Sequence, residues 1–180
     1  MTYTRKHSAY KMALYYHHAT RSGQVVTGMI GEYSGYLQAD GYSAYNSAVN
    51  AVRVGCWVHA KHKFIDSLPK DKALYQTSAA TKAVEYINRL FALEREYERK
   101  NSDGKSVGAT LSSDEKMKQR NTKSKTVAEE FFEWIITVDS DSDTQLNKAI
   151  GYIINKKKYL MRFLEKPNID ISNSRAENSV

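Results

Sequence analysis

Three short stretches of the sequence carry side chains that can bind a metal ion or activate a nucleophile. Asp40 precedes Gly41 at the end of a β-prone run, where a strand end can present its carboxylate to a cleft as an oxygen ligand for a divalent cation. An Asp-Gly turn, in which the carboxylate bonds its own backbone, is the competing local explanation. Glu177 follows Ser174 by three residues, so it is either a capping glutamate or a second metal-binding carboxylate. Asn173 shares a face with Glu177 if that segment is helical.

Cys56 and His59 lie three residues apart at a predicted strand-to-helix junction. A thiolate and an imidazole can supply half of a zinc site, but the chain has one cysteine and only His62 as a close additional ligand. A Cys–His nucleophilic pair also needs a third group to orient the base, and none is recognisable nearby. A buried, hydrogen-bonded pair is the simplest explanation of the motif.

The elements that must position these side chains divide the chain into three parts. Residues 1–68 predict strands and a first helix, residues 69–140 predict helices, and residues 141–180 predict a further helix before the segment with Glu177. Runs bounded by turn signals predict strands over 12–17, 35–42 and 52–58 and a helix over 60–68, whereas residues 25–33 fit either a helix or a strand.

Periodicity and capping signals predict the helices of the second and third parts. Apolar residues spaced three to four apart between Val84 and Tyr97 predict one helix. A capping box at residues 112–115 starts the next, which is basic over 116–125 and apolar towards 136. A second capping box at residues 142–145 starts a helix that extends to 165, before Pro167.

Composition restricts the class of protein. With 180 residues, 41% of them hydrophobic, the chain fits one domain, with room for a large insertion. The single cysteine excludes an intrachain disulfide and favours the cytoplasm. No apolar run reaches the roughly 18 residues that a membrane helix needs, so no membrane association is expected. A net charge of +7 makes nucleic acid a candidate partner, although many basic proteins bind no polyanion.

The order and spacing of these motifs resemble the insertion sequence 66 family of bacterial transposases. The resemblance rests on an Arg-Ser-Gly run, an Asp-Gly-Tyr block and a Gly-Cys-Trp-x-His block, followed by matching C-terminal segments: residues 20–23, 35–46, 54–64, 149–155 and 171–178. The Asp-Gly-Tyr and Gly-Cys-Trp-x-His blocks are the specific ones, whereas the helical middle of the chain is not specific.

The resemblance implies an α/β fold, a ribonuclease-H-like mixed sheet flanked by helices. Residues 1–68 would form its core, residues 69–140 a large helical insertion, and residues 141–180 the return to the core. In such DDE enzymes two Asp and one Glu hold two Mg²⁺ or Mn²⁺ ions for phosphodiester cleavage and strand transfer. On this pattern Asp40 matches the second Asp and Glu177 the final Glu, as catalytic and metal-binding residues.

Supporting roles also follow from the resemblance. Cys56, His59 and Asn173 are expected to shape the site. The expected DNA contacts, to transposon ends and to target DNA, are made by Lys61, Lys63 and Arg175. The setting would be the bacterial cytoplasm, at the nucleoid when DNA is bound.

The chain departs from the family pattern in one respect that bears on activity. No Asp precedes Asp40, so the first catalytic Asp and its strand are expected to be missing, as in a truncated catalytic domain. A two-acid fragment should hold metal poorly and should not cleave or join DNA by itself. A second copy could supply the missing strand and so form a homodimer. The alternatives are a non-catalytic basic DNA-binding or interaction module, in which Asp40 and Glu177 are a turn residue and a helix cap, and a Cys–His hydrolase.

Overall fold

Short strands and long helices make up the structure, a computed structural model that describes residues 2–4, 13–15, 22–99, 107–140 and 144–174. Two strands, β1 (Thr2–Thr4) and β2 (Ala13–Tyr15), pair antiparallel. Two others, β3 (Gly35–Gln38) and β4 (Ala51–Val54), pair in parallel. The predicted α/β class is confirmed, but the described strands form two separate pairs rather than one mixed sheet.

The parallel pair packs with the helical elements that are next to it in the chain. Helix α1 (Gly23–Ile30) precedes β3, and a 3₁₀ turn at Ser43–Ser47 lies between β3 and β4. Val26, Leu37 and Ala48 bury a small apolar cluster between these elements. Residues 25–33, which fitted either a helix or a strand, therefore lie largely in a helix.

Five further helices and one π-helical turn follow. They are α2 (Trp57–Ile65), α3 (Ala79–Tyr97), α4 (Ser113–Gln119), the π turn (Arg120–Ser124), α5 (Lys125–Ile135) and α6 (Gln145–Leu160), within the described residues. The capping box of α4 is confirmed, because Ser112 and Glu115 bond each other's backbone amides. The predicted helix start at residue 142 is wrong, since Thr144 is the N-cap of α6 and accepts from the amide of Asn147.

Helix α2 begins earlier than its sequence predicts. Its residue Trp57 belongs to a β-prone run, yet its amide donates to the carbonyl of Ile171 at 3.1 Å and its indole donates to the carbonyl of Leu160 at 2.9 Å. Both partners are distant in sequence. The strand prediction over 52–58 is wrong from residue 55 onwards: β4 ends at Val54, and at residues 57 and 58 the helix replaces the strand because tertiary hydrogen bonds override local propensity.

Trp57 also lies at the centre of the main core. The side chain is fully buried, with its ring 5.9 Å from that of Phe131, 6.0 Å from Phe132 and 6.4 Å from Phe163. Burial of an aromatic side chain of this size stabilises the fold by roughly 4–6 kcal/mol. One core thus joins α2 to α3, α5 and α6, so the helices within residues 69–140 pack directly on the elements that flank them. In the described ranges, no helix is long and apolar enough to span a membrane.

Candidate active site at the carboxyl edge of the parallel strands

The parallel register brings two of the predicted site residues to one edge of the sheet. Gln38 pairs with Val54, and the amide of Ala39 donates to the carbonyl of Val54 at 3.0 Å. Asp40 lies two residues beyond β3, and Cys56 lies two residues beyond β4. Because parallel strands end at the same edge, both residues lie where ligand sites of open α/β sheets are usually found.

Asp40 occupies a tight turn at this edge. Its carboxylate is half-buried, and Oδ1 accepts a hydrogen bond from the amide of Tyr42 at 2.9 Å, so the predicted turn contact is present. The carbonyl of Asp40 accepts from the hydroxyl of Tyr152 at 2.9 Å. Gly41 has a φ of 91°, and a Cβ there would lie 3.0 Å from the Tyr152 oxygen. The turn therefore requires glycine both for its backbone and for the close approach of α6.

Tyr152 interacts electrostatically with the residues that follow both strands, Asp40 and Cys56. Burial is the main cause that raises its pKa to about 12; electrostatic interactions with Cys56 and Asp40 act in the same direction, and Arg53 opposes them. The phenol therefore stays protonated at neutral pH and remains a donor to the Asp40 backbone. Cys56 itself is fully buried at the N-cap of α2, and half-buried His59 lies in the first turn of that helix, with its ring 6.4 Å from that of His62.

The C-terminal segment is tied to the same edge. Gln38 Nε2 donates to the carbonyl of Asp170 at 2.7 Å and to that of Gly55 at 3.3 Å. The next carbonyl, that of Ile171, accepts from the backbone of α2, as described above. Asn173 follows two residues later and is half-buried. Glu177 and Arg175 lie outside the described residues.

The full length of the chain, residues 1–180, matches the model of the Transposase IS66 family. The chain belongs to this family. The identification suggested by the Asp-Gly-Tyr and Gly-Cys-Trp-x-His blocks is thus confirmed, and the structure places both blocks at one sheet edge.

Three relatives from Sinorhizobium fredii carry no functional name. The chain is 27% identical to uncharacterized protein y4qI, covering 89% of this chain and 29% of that protein. It is 23% identical to uncharacterized protein y4hP, covering 93% and 32% respectively, and 24% identical to uncharacterized protein y4jD, covering 89% and 31%. The chain therefore spans about three-tenths of the length of these curated relatives. No solved structure matches it.

Two of the three expected DNA contacts of this transposase-family chain, Lys61 and Lys63, lie on α2. Trp57, Ala60 and Phe64 form the buried face of the helix, which leaves Lys61 half-buried and Lys63 exposed. Neither lysine forms an ion pair with a described residue.

No sequence signal pointed to the best-connected side chain in the structure, Arg120. Its guanidinium is fully buried and binds Glu94 through two hydrogen bonds, Nε to Oε1 at 2.8 Å and Nη2 to Oε2 at 2.6 Å. Its other three N–H groups donate to backbone carbonyls: those of Phe163 at 2.7 Å, Lys166 at 2.8 Å and Ile169 at 2.9 Å. Lys116 Nζ lies 3.3 Å from the same Glu94. The basic run over 116–125 is therefore partly an internal charge network rather than a continuous solvent-facing cationic surface.

Proposed function

We propose that this chain is part of the catalytic core of an IS66-family transposase, whose whole protein cleaves and joins DNA in a metal-dependent reaction. The observation that supports the proposal is that several predicted site residues lie at the same edge of the parallel strand pair. Asp40, Cys56 and the segment leading to Glu177 converge beyond the carboxyl ends of β3 and β4. Ser174 is the last described residue and precedes Glu177 by three positions in the sequence.

A ribonuclease-H-like core is proposed from the order of the elements. An antiparallel pair, a helix, a strand, a short helical turn, a strand and a helix follow one another, from β1 to α2. The two strand pairs are separate in the described residues, and one further strand between them would join them into a mixed sheet. We propose that this strand carries the first catalytic Asp. An Asp-bearing strand must come from another part of the whole protein, because no Asp precedes Asp40 in this chain. A homodimer of the chain could pair the open strand edge but would not supply that Asp.

The donor chemistry at the edge fits Mg²⁺ or Mn²⁺. Asp40 offers carboxylate oxygens, and its Oδ2 accepts no hydrogen bond from the described residues. Among those residues, no group of three or more His, Cys, Asp or Glu side chains is arranged to hold a metal ion. Asp40 would hold the ion together with Glu177 and the first Asp. Divalent ions, when bound, supply Lewis-acid stabilisation of the attacking and leaving oxygens.

The remaining residues position the site and its substrate. Tyr152 fixes the backbone of Asp40, while Cys56 and His59 shape the wall at the start of α2. Asn173 lies on the segment that precedes the final acid. Lys61, Lys63 and Arg175 are the proposed contacts to DNA phosphates. Because the first Asp is missing from the sequence, we expect the chain alone to neither nick nor join DNA, whatever the divalent cation.

A manganese soak of crystals tests the metal assignment. We expect an anomalous peak at the Asp40 carboxylate in the wild-type chain and no peak in Asp40→Asn. That substitution keeps Oδ1 as the acceptor for the Tyr42 amide, so it removes the charge without breaking the turn. Asp66→Asn, at an exposed carboxylate just after α2, is the matched control and should leave the peak unchanged.

Two results would refute parts of this proposal. A peak that survives in Asp40→Asn, or a crystal structure in which the Asp40 and Glu177 carboxylates lie on opposite faces, would favour the non-catalytic module, with Asp40 as a turn residue and Glu177 as a cap. A missing peak alone agrees with the weak metal binding expected of two carboxylates. Metal-dependent nicking of plasmid DNA by the chain alone, lost in Asp40→Ala, would contradict the expectation that it is inactive.

A further inference from the structure

Three cationic side chains surround one tyrosine ring beside the candidate site. The guanidinium carbon of Arg53 lies 4.7 Å from the centroid of Tyr159, that of Arg162 lies 5.6 Å away, and Lys156 Nζ lies 5.7 Å away. Together with Tyr159, they form the Tyr159 cluster. Glu165, with Oε1 3.7 Å from Arg162 Nε, is the carboxylate paired with the cluster in the described part of the chain.

The two arginines of the cluster are engaged within the fold. Arg53 is 9% exposed and donates to the side-chain oxygen of Asn46. Arg162 donates from Nη1 to the carbonyl of Arg53 at 2.6 Å. Their hydrogen bonds fix their positions, so they contribute positive potential rather than mobile binding groups.

Lys156 differs from both arginines. Its ammonium group faces the aromatic ring of Tyr159, and it forms no ion pair with any described residue. The side chain as a whole is half-buried. A cation beside two others is stabilised by an anion more than by water alone.

The position of Lys156 places this charge at the catalytic edge. Its Cε lies 3.4 Å from where a Cβ on Gly41 would be, so the lysine stem crosses the turn that follows Asp40. One helical turn earlier, Tyr152 binds the Asp40 carbonyl. The same face of α6 therefore contacts the backbone of the candidate metal-binding residue and presents a cation next to it.

We propose that Lys156 binds a backbone phosphate of DNA beside Asp40, with Arg53 and Arg162 supplying the surrounding positive potential. A lysine acts as a compact point charge for phosphate, and neutralising one phosphate releases condensed counterions from the duplex. The inference rests on the proposed function, because it treats the Asp40 edge as a DNA-processing site. The basic run at residues 156–158 fits either a solvated helix face or a phosphate contact by sequence alone. The structure selects Lys156 from that run, because its stem crosses the Asp40 turn.

The test is DNA binding measured without metal. Fluorescence anisotropy of a labelled 30-base-pair duplex in EDTA, over a range of salt concentrations, compares the wild-type chain with Lys156→Gln, Lys156→Arg and Lys148→Gln. Lys148 is the matched control, because it is an exposed lysine of the same helix, two turns away from Lys156. Thermal melts establish that each variant is folded.

We expect Lys156→Gln to weaken binding by roughly five- to tenfold at low salt. It should also lower the slope of log affinity against log salt by about one. Lys156→Arg should bind nearly as the wild type does, and Lys148→Gln should change little. Equal losses in Lys156→Gln and Lys148→Gln, or no DNA binding by the wild type, would overturn the proposal. Binding of inorganic phosphate without binding of the duplex would overturn the assignment to DNA. The manganese result at Asp40 does not depend on any of these outcomes, so the two proposals fail separately.

Discussion

Replacement of Arg120 by methionine should cost the fold a large fraction of its stability. The substitution removes five N–H donors from a fully buried position and leaves Glu94 with Lys116 as its remaining described ion-pair partner. It also leaves three backbone carbonyls in the segment 163–169 without the guanidinium. Breaking a buried pair from one side costs about 3–5 kcal/mol, against a total of roughly 5–15 kcal/mol for a typical domain.

Urea denaturation followed by circular dichroism measures this loss. The matched control is Arg89→Met, which breaks the pair with Glu130 on the facing helix. There the closest atoms are 3.8 Å apart and the side chains are 56% and 48% exposed. Because solvent screens such a pair, the control should lose less than about 1 kcal/mol. Arg120→Lys, which keeps the charge but not the planar fork, should fall between the two.

Hydrogen exchange shows where the Arg120 effect acts. In Arg120→Lys, we expect faster exchange of the Trp57 amide, because its acceptor Ile171 follows the carbonyls that Arg120 holds. If Arg120→Met and Arg89→Met lose equal stability, the buried network does not hold the C-terminal segment. If Arg120→Met fails to fold, the lysine variant still decides the question by the size of its loss and by the Trp57 amide.

Three further predictions concern the Asp40 edge. Gly41→Ala should destabilise the chain by about 1–3 kcal/mol, because Gly41 has a positive φ and a Cβ there would meet Tyr152. Gly151→Ala is the control: Gly151 has open space around it in α6, so alanine should stabilise the helix by about 0.5–1 kcal/mol. Thermal melts of the two variants compare these effects. Because the pKa of Tyr152 is raised, the folded protein keeps a proton that the unfolded protein loses near pH 10, so the free energy of unfolding should fall between pH 10 and 12. The fall should be less steep in Tyr152→Phe. Urea titrations at each pH measure it, and an equal pH dependence of stability in the two proteins would contradict the prediction. Cys56, fully buried, should react with a thiol reagent only as fast as the chain opens, and instant reaction of native protein would disprove its burial.

Local sequence signals predicted several elements of this fold correctly. The 84–97 periodicity lies within α3, and the Ser112–Glu115 capping box starts α4, because both depend on residues within one or two turns. The same signals were wrong over residues 55–58: the strand ends at Val54, and partners later in the chain extend α2 into the β-prone run at residues 57 and 58. They were also wrong at residue 142, where Thr144 takes the capping role.

For the candidate site, the sequence by itself predicted the candidate residues and that two of them follow strands. Asp40 and the Cys56–His59 motif could be chosen from residue type, spacing and family resemblance, and parallel pairing then places them at one edge. What only the tertiary structure decided is which side chains surround them. Tyr152 and Lys156 contact the Asp40 turn across more than a hundred residues, and no periodicity encodes such a contact.

Arg120 shows the same limit in the second part of the chain. In the sequence it belongs to a basic run typical of a solvated or DNA-facing helix. In the structure its partners lie 26 to 49 residues away, and burial leaves its guanidinium inside the protein. The local pattern records the charge of a residue. Whether that charge faces solvent, DNA or a buried carboxylate depends on how the helices pack, because the cost of desolvation is set by neighbours that only the folded chain brings together.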